Sequence, residues 1–183
     1  MPAPLPRQIR DITRKRINRA PSPLVALSLP WLLVMLGSLT PSWPIIASAP
    51  VMPAFGFLIL VSWQQLRPGL FPVWAGLPLG VFDDLFSGQP FGSAVMLWSL
   101  AMIALDVIET RFPWRDFVQD WLVAALIIFL YLAGTVTLAN LEGGDAAYRI
   151  MLPQLIVSLL AYPLIGRLVA MVDRLRLYPL RAL

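Results

Sequence analysis

Residues 80–92, GVFDDLFSGQPFG, set two adjacent carboxylates, Asp83 and Asp84, among three glycines in a strongly apolar chain. An ionised Asp in hydrocarbon costs about 2.5 to 3.5 kcal/mol on insertion scales, so such a group faces protein or a wet cavity and has a role there. Gly76, Gly80, Asp84 and Gly88 recur at steps of four, which gives a helix a narrow stripe of minimal side chains with one carboxylate in it. A neighbouring helix can come close along that stripe. Asp84 then points into the helix contact, while Asp83, about 100° round the axis, is expected at the solvated outer rim. Alternatively the stripe is only a packing seam whose acids mark the membrane surface. Ser87, Gly88 and Gln89 supply turn chemistry, and Pro90 lacks a backbone donor. The motif therefore reads as a helix end that folds back through Phe91 and Gly92, with Asp84 or Gln89 available to the turn's backbone.

A second polar line, Gln154, Ser158, Tyr162 and Gly166, again at steps of four, is expected to face the interior of a helix bundle. Asp106 and Glu109 fall close to Arg111 and Arg115 and read as an interface network, while Asp116 and Asp120 suit a helix N-terminus. Templates for catalysis are missing. The chain has no histidine and no cysteine, which removes the commonest general base, the thiolate nucleophile and the commonest soft metal ligands. No P-loop, H-E-x-x-H or G-x-S-x-G motif occurs either. Neither an enzyme nor a cofactor or metal site is expected.

The elements that must carry these residues follow from composition. With 58% hydrophobic and 13% charged residues, the 183-residue chain is too apolar for a soluble domain and reads as an integral membrane protein. Continuously apolar runs, rather than alternation every second residue, exclude a β-barrel. Six runs are expected to span, at 24–40, 51–65 (extended outward by 45–49), 70–85, 91–108, 117–141 and 150–172. The domain plan is a basic tail over 1–23, a six-helix membrane domain over 24–172 and a short basic tail over 173–183. The basic start, the apolar run and Ala47-Ser48-Ala49 imitate a secretory signal, but Pro50 follows at once, and an intact first segment is the expectation. With six spans and the N-terminus inside, thirteen of the fourteen Lys and Arg residues fall on the cytoplasmic side and only Arg149 lies outside. Trp63 and Arg67 are expected as interface anchors.

At Gly80, Asp84, Gly88, Pro90, Phe91 and Gly92, with Trp63 and Pro68 upstream, the sequence resembles the rod shape-determining protein MreD family. The resemblance is good over about 51–111, and Asp83 departs from it as a second acid. It implies a non-catalytic scaffold in the bacterial inner membrane, part of the cell-elongation and peptidoglycan-synthesis machinery. The partners it implies are MreC, the actin-like MreB, RodA and a penicillin-binding transpeptidase. It also implies a six-helix fold similar to the substrate-binding component of energy-coupling-factor transporters, both termini cytoplasmic. The alternative is a small-molecule-binding or transport subunit of that type. No nucleic acid is implied.

Overall fold

The computed structural model describes residues 23–42, 52–112 and 116–176. The basic N-terminal tail, the Ala47-Ser48-Ala49 stretch, Arg115 and the last residues of the C-terminal tail lie outside the described residues. Six α-helices are present: α1 Pro23–Ser38, α2 Phe55–Leu66, α3 Gly76–Ser87, α4 Ser93–Arg111, α5 Phe117–Leu141 and α6 Leu152–Arg176. Short 3-10 turns occupy Thr40–Ser42, Val73–Ala75 and Tyr148–Met151, and there is no strand among the described residues. The fold is all-α.

Two helices are shorter than the apolar runs that contain them. α2 begins only at Phe55, after a turn in which its first amide bonds the Pro53 carbonyl. α3 begins at Gly76 rather than Leu70, because Pro68, Gly69 and Pro72 interrupt the helix and Gly69 adopts a positive φ of 79°. α6, by contrast, passes residue 172 without a break and ends at Arg176. The segments Ser93–Arg111, Phe117–Leu141 and Tyr148–Arg176 are long and apolar enough to cross a membrane, whereas Leu27–Ser38 and Phe55–Leu66 are apolar but shorter.

Every residue of α2 from Gly56 to Gln64 is buried. A helix apolar on all sides belongs in the middle of a bundle, and α2 packs against α1, α4, α5 and α6. This overturns the interface role expected for Trp63, which is fully buried because α6 closes over the end of α2 and lays the Arg176 guanidinium 5.4 Å from its ring centroid.

Cross-contacts fix the helix directions. Gly76 and Gly80 of α3 lie against Ser99 and Val95 of α4, so this pair is antiparallel. Met52, just before α2, accepts a bond from Gln154 near the start of α6, and Arg67, just after α2, pairs with Asp173 near the end of α6, so this pair is parallel. Trp31 in α1 meets Phe71 and Trp74, while the end of α1 lies against Gly56 at the start of α2. The start of α1 and the end of α6 therefore share one end of the bundle.

The α3–α4 seam depends on missing side chains. A Cβ on Gly80 would lie 2.6 Å from Val95 Cα, and one on Gly76 would lie 2.8 Å from Ser99 Cα, whereas one on Gly166 would meet nothing within 4 Å. Gly80→Ala and Gly76→Ala should each cost about 1 to 3 kcal/mol through overpacking against backbone, and Gly166→Ala should be neutral or stabilising by up to about 1 kcal/mol. Thermal unfolding of the three purified variants checks the ordering.

Candidate functional site

α3 must end where the chain reverses, and it does so at Gly88, whose φ of +67° is the left-handed conformation that side chains disfavour. Gly92, at φ +93°, is left-handed as well and leads the chain into α4. Ser93 N–H closes a bond to the Pro90 carbonyl at 3.0 Å, and the Gln89 amide bonds Ser87 Oγ at 3.4 Å. Phe91 stands at the tip, 72% exposed.

A helix start leaves backbone N–H groups without partners, and Asp84 supplies them here. Its Oδ2 accepts from Gly92 N–H at 2.9 Å and Val95 N–H at 3.3 Å, and its Oδ1 accepts from Ala94 N–H at 2.9 Å and the Ser93 hydroxyl at 3.3 Å. The carboxylate thus caps α4 from the preceding helix. Charge-assisted bonds of this kind are about twice as strong as neutral ones, and the positive end of the α4 dipole adds to them. Gly80 and Gly76 make the approach possible, so the step-of-four stripe and the cap form one unit.

Asp83 departs from its expected place at a solvated rim: it is 6% exposed, as is Asp84. Periodicity within α3 considered a single neighbour, whereas α3 also packs on α1, and α5 places Tyr131 close by. Ser38 from the end of α1 is the polar side chain beside Asp83. Tyr131 in turn faces Trp98 of α4 and Gln89 of the corner, and stacks on Phe57 with ring centroids 4.1 Å apart. The residues 83, 84, 88–92 are therefore brought together, with Ser38, Ser93, Trp98 and Tyr131 added. None of these four carries a local sequence signal, because each reaches the corner from another helix or from the turn that Asp84 caps.

The α6 line is placed against α2, away from the corner. Gln154 Nε2 donates to the Met52 carbonyl at 2.8 Å, the Tyr162 hydroxyl donates to Gln65 Oε1, and Ser158 is buried between them in sequence. At the opposite end from the corner, Asp173 is shared by two guanidinium groups. Arg67 reaches it with Nε at 3.0 Å and Nη2 at 2.9 Å, and Arg176 with Nη2 at 3.0 Å. Gln65 Nε2 also holds the Asp120 carbonyl at 3.1 Å, tying α5 to the same end. No group of three or more His, Cys, Asp or Glu side chains suited to a metal occurs among the described residues.

A helical bundle with three membrane-capable helices and a capped, glycine-lined corner is the framework of a membrane protein. The family model of the rod shape-determining protein MreD matches residues 23–172, most of the chain, and the chain belongs to that family. No curated protein and no solved structure matches it.

Two outcomes follow from this geometry. Asp84→Ala should cost about 2 kcal/mol and speed hydrogen exchange at the Gly92, Ala94 and Val95 amides, but not at Ser93, which bonds Pro90 instead; exchange mass spectrometry reads each site. At the other end, Asp173→Ala should cost about 3 kcal/mol because it takes the carboxylate from the buried Arg176, whereas Arg67→Ala, with its side chain 50% exposed, should cost under about 1 kcal/mol. Thermal unfolding of the two variants side by side decides that ordering.

Proposed function

We propose that this chain is a non-catalytic, multi-pass scaffold of the bacterial inner membrane that serves cell elongation. Membership of a rod shape-determining family gives the role in cell shape. The single observation that carries the non-catalytic reading is the state of Asp84: both of its oxygens accept bonds from the α4 start, leaving it no role as acid, base or nucleophile. The contacts between elements put the start of α1 and the end of α6 at one end of the bundle, an arrangement that suits an even number of crossings. The positive-inside distribution makes that side the cytoplasm. The corner then faces outward. Its partners, by resemblance, are MreC, MreB, RodA and a penicillin-binding transpeptidase. A rigid corner bearing exposed Phe91 suits contact with a partner on the outer side.

The alternative, a small-molecule-binding subunit of energy-coupling-factor type, needs polar groups free to meet a solute. Gln154 and Tyr162 are already committed to Met52 and Gln65, which weakens it.

Depletion of the protein from a rod-shaped host should round the cells and delocalise MreC, and tagged protein should copurify MreC from membranes. Asp84→Leu, which removes the cap and overfills the seam, should lose both rescue and capture, while Gly166→Ala keeps both. Unchanged shape and MreC localisation on depletion would refute the scaffold reading.

A further inference from the structure

In the membrane-spanning reading above, the third crossing is only part helix. Gly76 lies against Ser99 and Gly80 against Val95, which fixes the register of the antiparallel α3–α4 pair and sets the start of α3 level with Ser99. From Ser99 α4 runs twelve residues further to Arg111, about 18 Å toward the cytoplasmic end. On the α3 side that distance is covered by residues 67–75 without an α-helix. Arg67 marks its lower limit through Asp173 near the end of α6. Leu70 N–H then bonds the Arg67 carbonyl at 3.1 Å around Pro68 and Gly69, whose positive φ of 79° suits the second corner of such a turn. Phe71 is buried against Trp31 of α1, and a second turn joins Ala75 N–H to the Pro72 carbonyl at 2.8 Å. The rest of the segment is open. Pro68, Gly69, Val73 and Trp74 are exposed, and the amides of Gly69, Phe71, Val73 and Trp74 have no acceptor among the described residues. Bare backbone at membrane depth is costly unless something from outside the segment satisfies it.

Arg67 stands at the mouth of this segment. Asp173 Oδ2 holds its Nε at 3.0 Å and its Nη2 at 2.9 Å, which fixes the plane of the guanidinium, while Nη1 makes no bond among the described residues and half of the side chain is exposed. The Trp74 indole, 61% exposed with its ring centroid 6.1 Å from that of Trp31, also donates to nothing among the described residues. Above it Leu77, Val81 and Leu85 continue an apolar strip along the outer face of α3. No Asp or Glu occurs between residues 66 and 75. We propose that Arg67 and the Pro68-Gly69 turn bind the phosphate of an anionic phospholipid of the cytoplasmic leaflet, with an acyl chain along Val73, Trp74 and Leu77. A guanidinium held in one plane matches phosphate oxygens, and its charge complements theirs. Water would satisfy the amides and a soluble anion would satisfy Arg67, but only an amphiphile uses the apolar strip as well. Bound there, the lipid covers the break in the third crossing and fastens α3 to the end where α2 meets α6. The proposal rests on the membrane-spanning reading, which the depletion and capture assays test separately.

The test is native mass spectrometry of the delipidated full-length protein, titrated with phosphatidylglycerol or with phosphatidylcholine of identical acyl chains. The wild type should bind its first phosphatidylglycerol about tenfold more tightly than its first phosphatidylcholine. Arg67→Ala should bring the two affinities together, whereas Arg174→Ala, which removes an exposed arginine at the same end, should keep the preference. Trp74→Phe, which keeps a ring but removes the indole donor, should weaken phosphatidylglycerol about threefold, and this readout stands if Arg67→Ala fails to fold. Equal affinity of the wild type for the two lipids leaves the segment to water or to a partner chain and overturns the proposal, as does a preference that survives in Arg67→Ala. Loss of the preference in millimolar inorganic phosphate assigns the site to a free anion and also overturns it.

Discussion

The bond set between the Asp84 carboxylate and the first amides of α4 is the constraint on which the corner depends. A helix that starts inside or at the edge of hydrocarbon has no water to satisfy its leading N–H groups, and each one left bare costs several kcal/mol. The usual remedy is a cap from the residue just before the helix. Here that position is Gly92, which has no side chain and whose φ is positive. The cap therefore comes from eight to eleven residues upstream, on the neighbouring helix. One carboxylate consequently satisfies the start of α4, gives its own buried charge hydrogen-bond partners and locks two antiparallel helices in register. The glycines at 76 and 80 are the geometric condition for this, since a methyl at either would separate the backbones that the carboxylate must bridge.

The opposite end of the bundle solves a related problem in a different way. Asp173 is buried as well, but guanidinium groups answer it rather than backbone amides, one from the end of α2 and one from its own helix. An arginine carries its own charge and long stem, so it works where the stem can leave the bundle, as Arg67 does. At the corner no such cation is present among the described residues, and backbone amides with the helix dipole answer Asp84 instead. The two ends hold complementary pairs of elements: the corner joins α3 to α4, and the ion cluster joins α2 to α6. Central α2, buried over its whole middle, packs on α4 of the corner and on α6 of the ion cluster.

How far this was legible from sequence differs by feature. Six helices, the all-α class and the family follow from apolar runs, missing alternation and the motif, because those signals are local and repeat over many residues. The stripe Gly76, Gly80, Asp84 was readable because its members share one helix. The burial of Asp83 was not, since it results from Ser38 and Tyr131, which stand 45 residues before it and 48 after it in the chain. Trp63 misled for a similar reason: an aromatic next to Gln and Arg resembles a membrane anchor until α6 is folded across it. The boundaries of α2 and α3 shifted because apolar composition continues through Pro53, Pro68 and Pro72, where the backbone cannot remain helical.

The pair of adjacent acids shows why type alone does not assign a role. Asp83 and Asp84 have the same side chain, the same exposure and the same helix, yet a turn of about 100° gives one of them the donors of a helix start and the other a hydroxyl and a second negative charge. The first acid is thereby a structural part that any substitution disturbs. The second is buried beside the Ser38 hydroxyl, where α3 packs on α1. Structural economy would place an apolar residue at that junction, because an ion without a partner contributes less to a bundle than packing does. The corner thus separates into a half that Asp84 builds on the backbone of α4 and a half in which Asp83 of α3 meets Ser38 of α1.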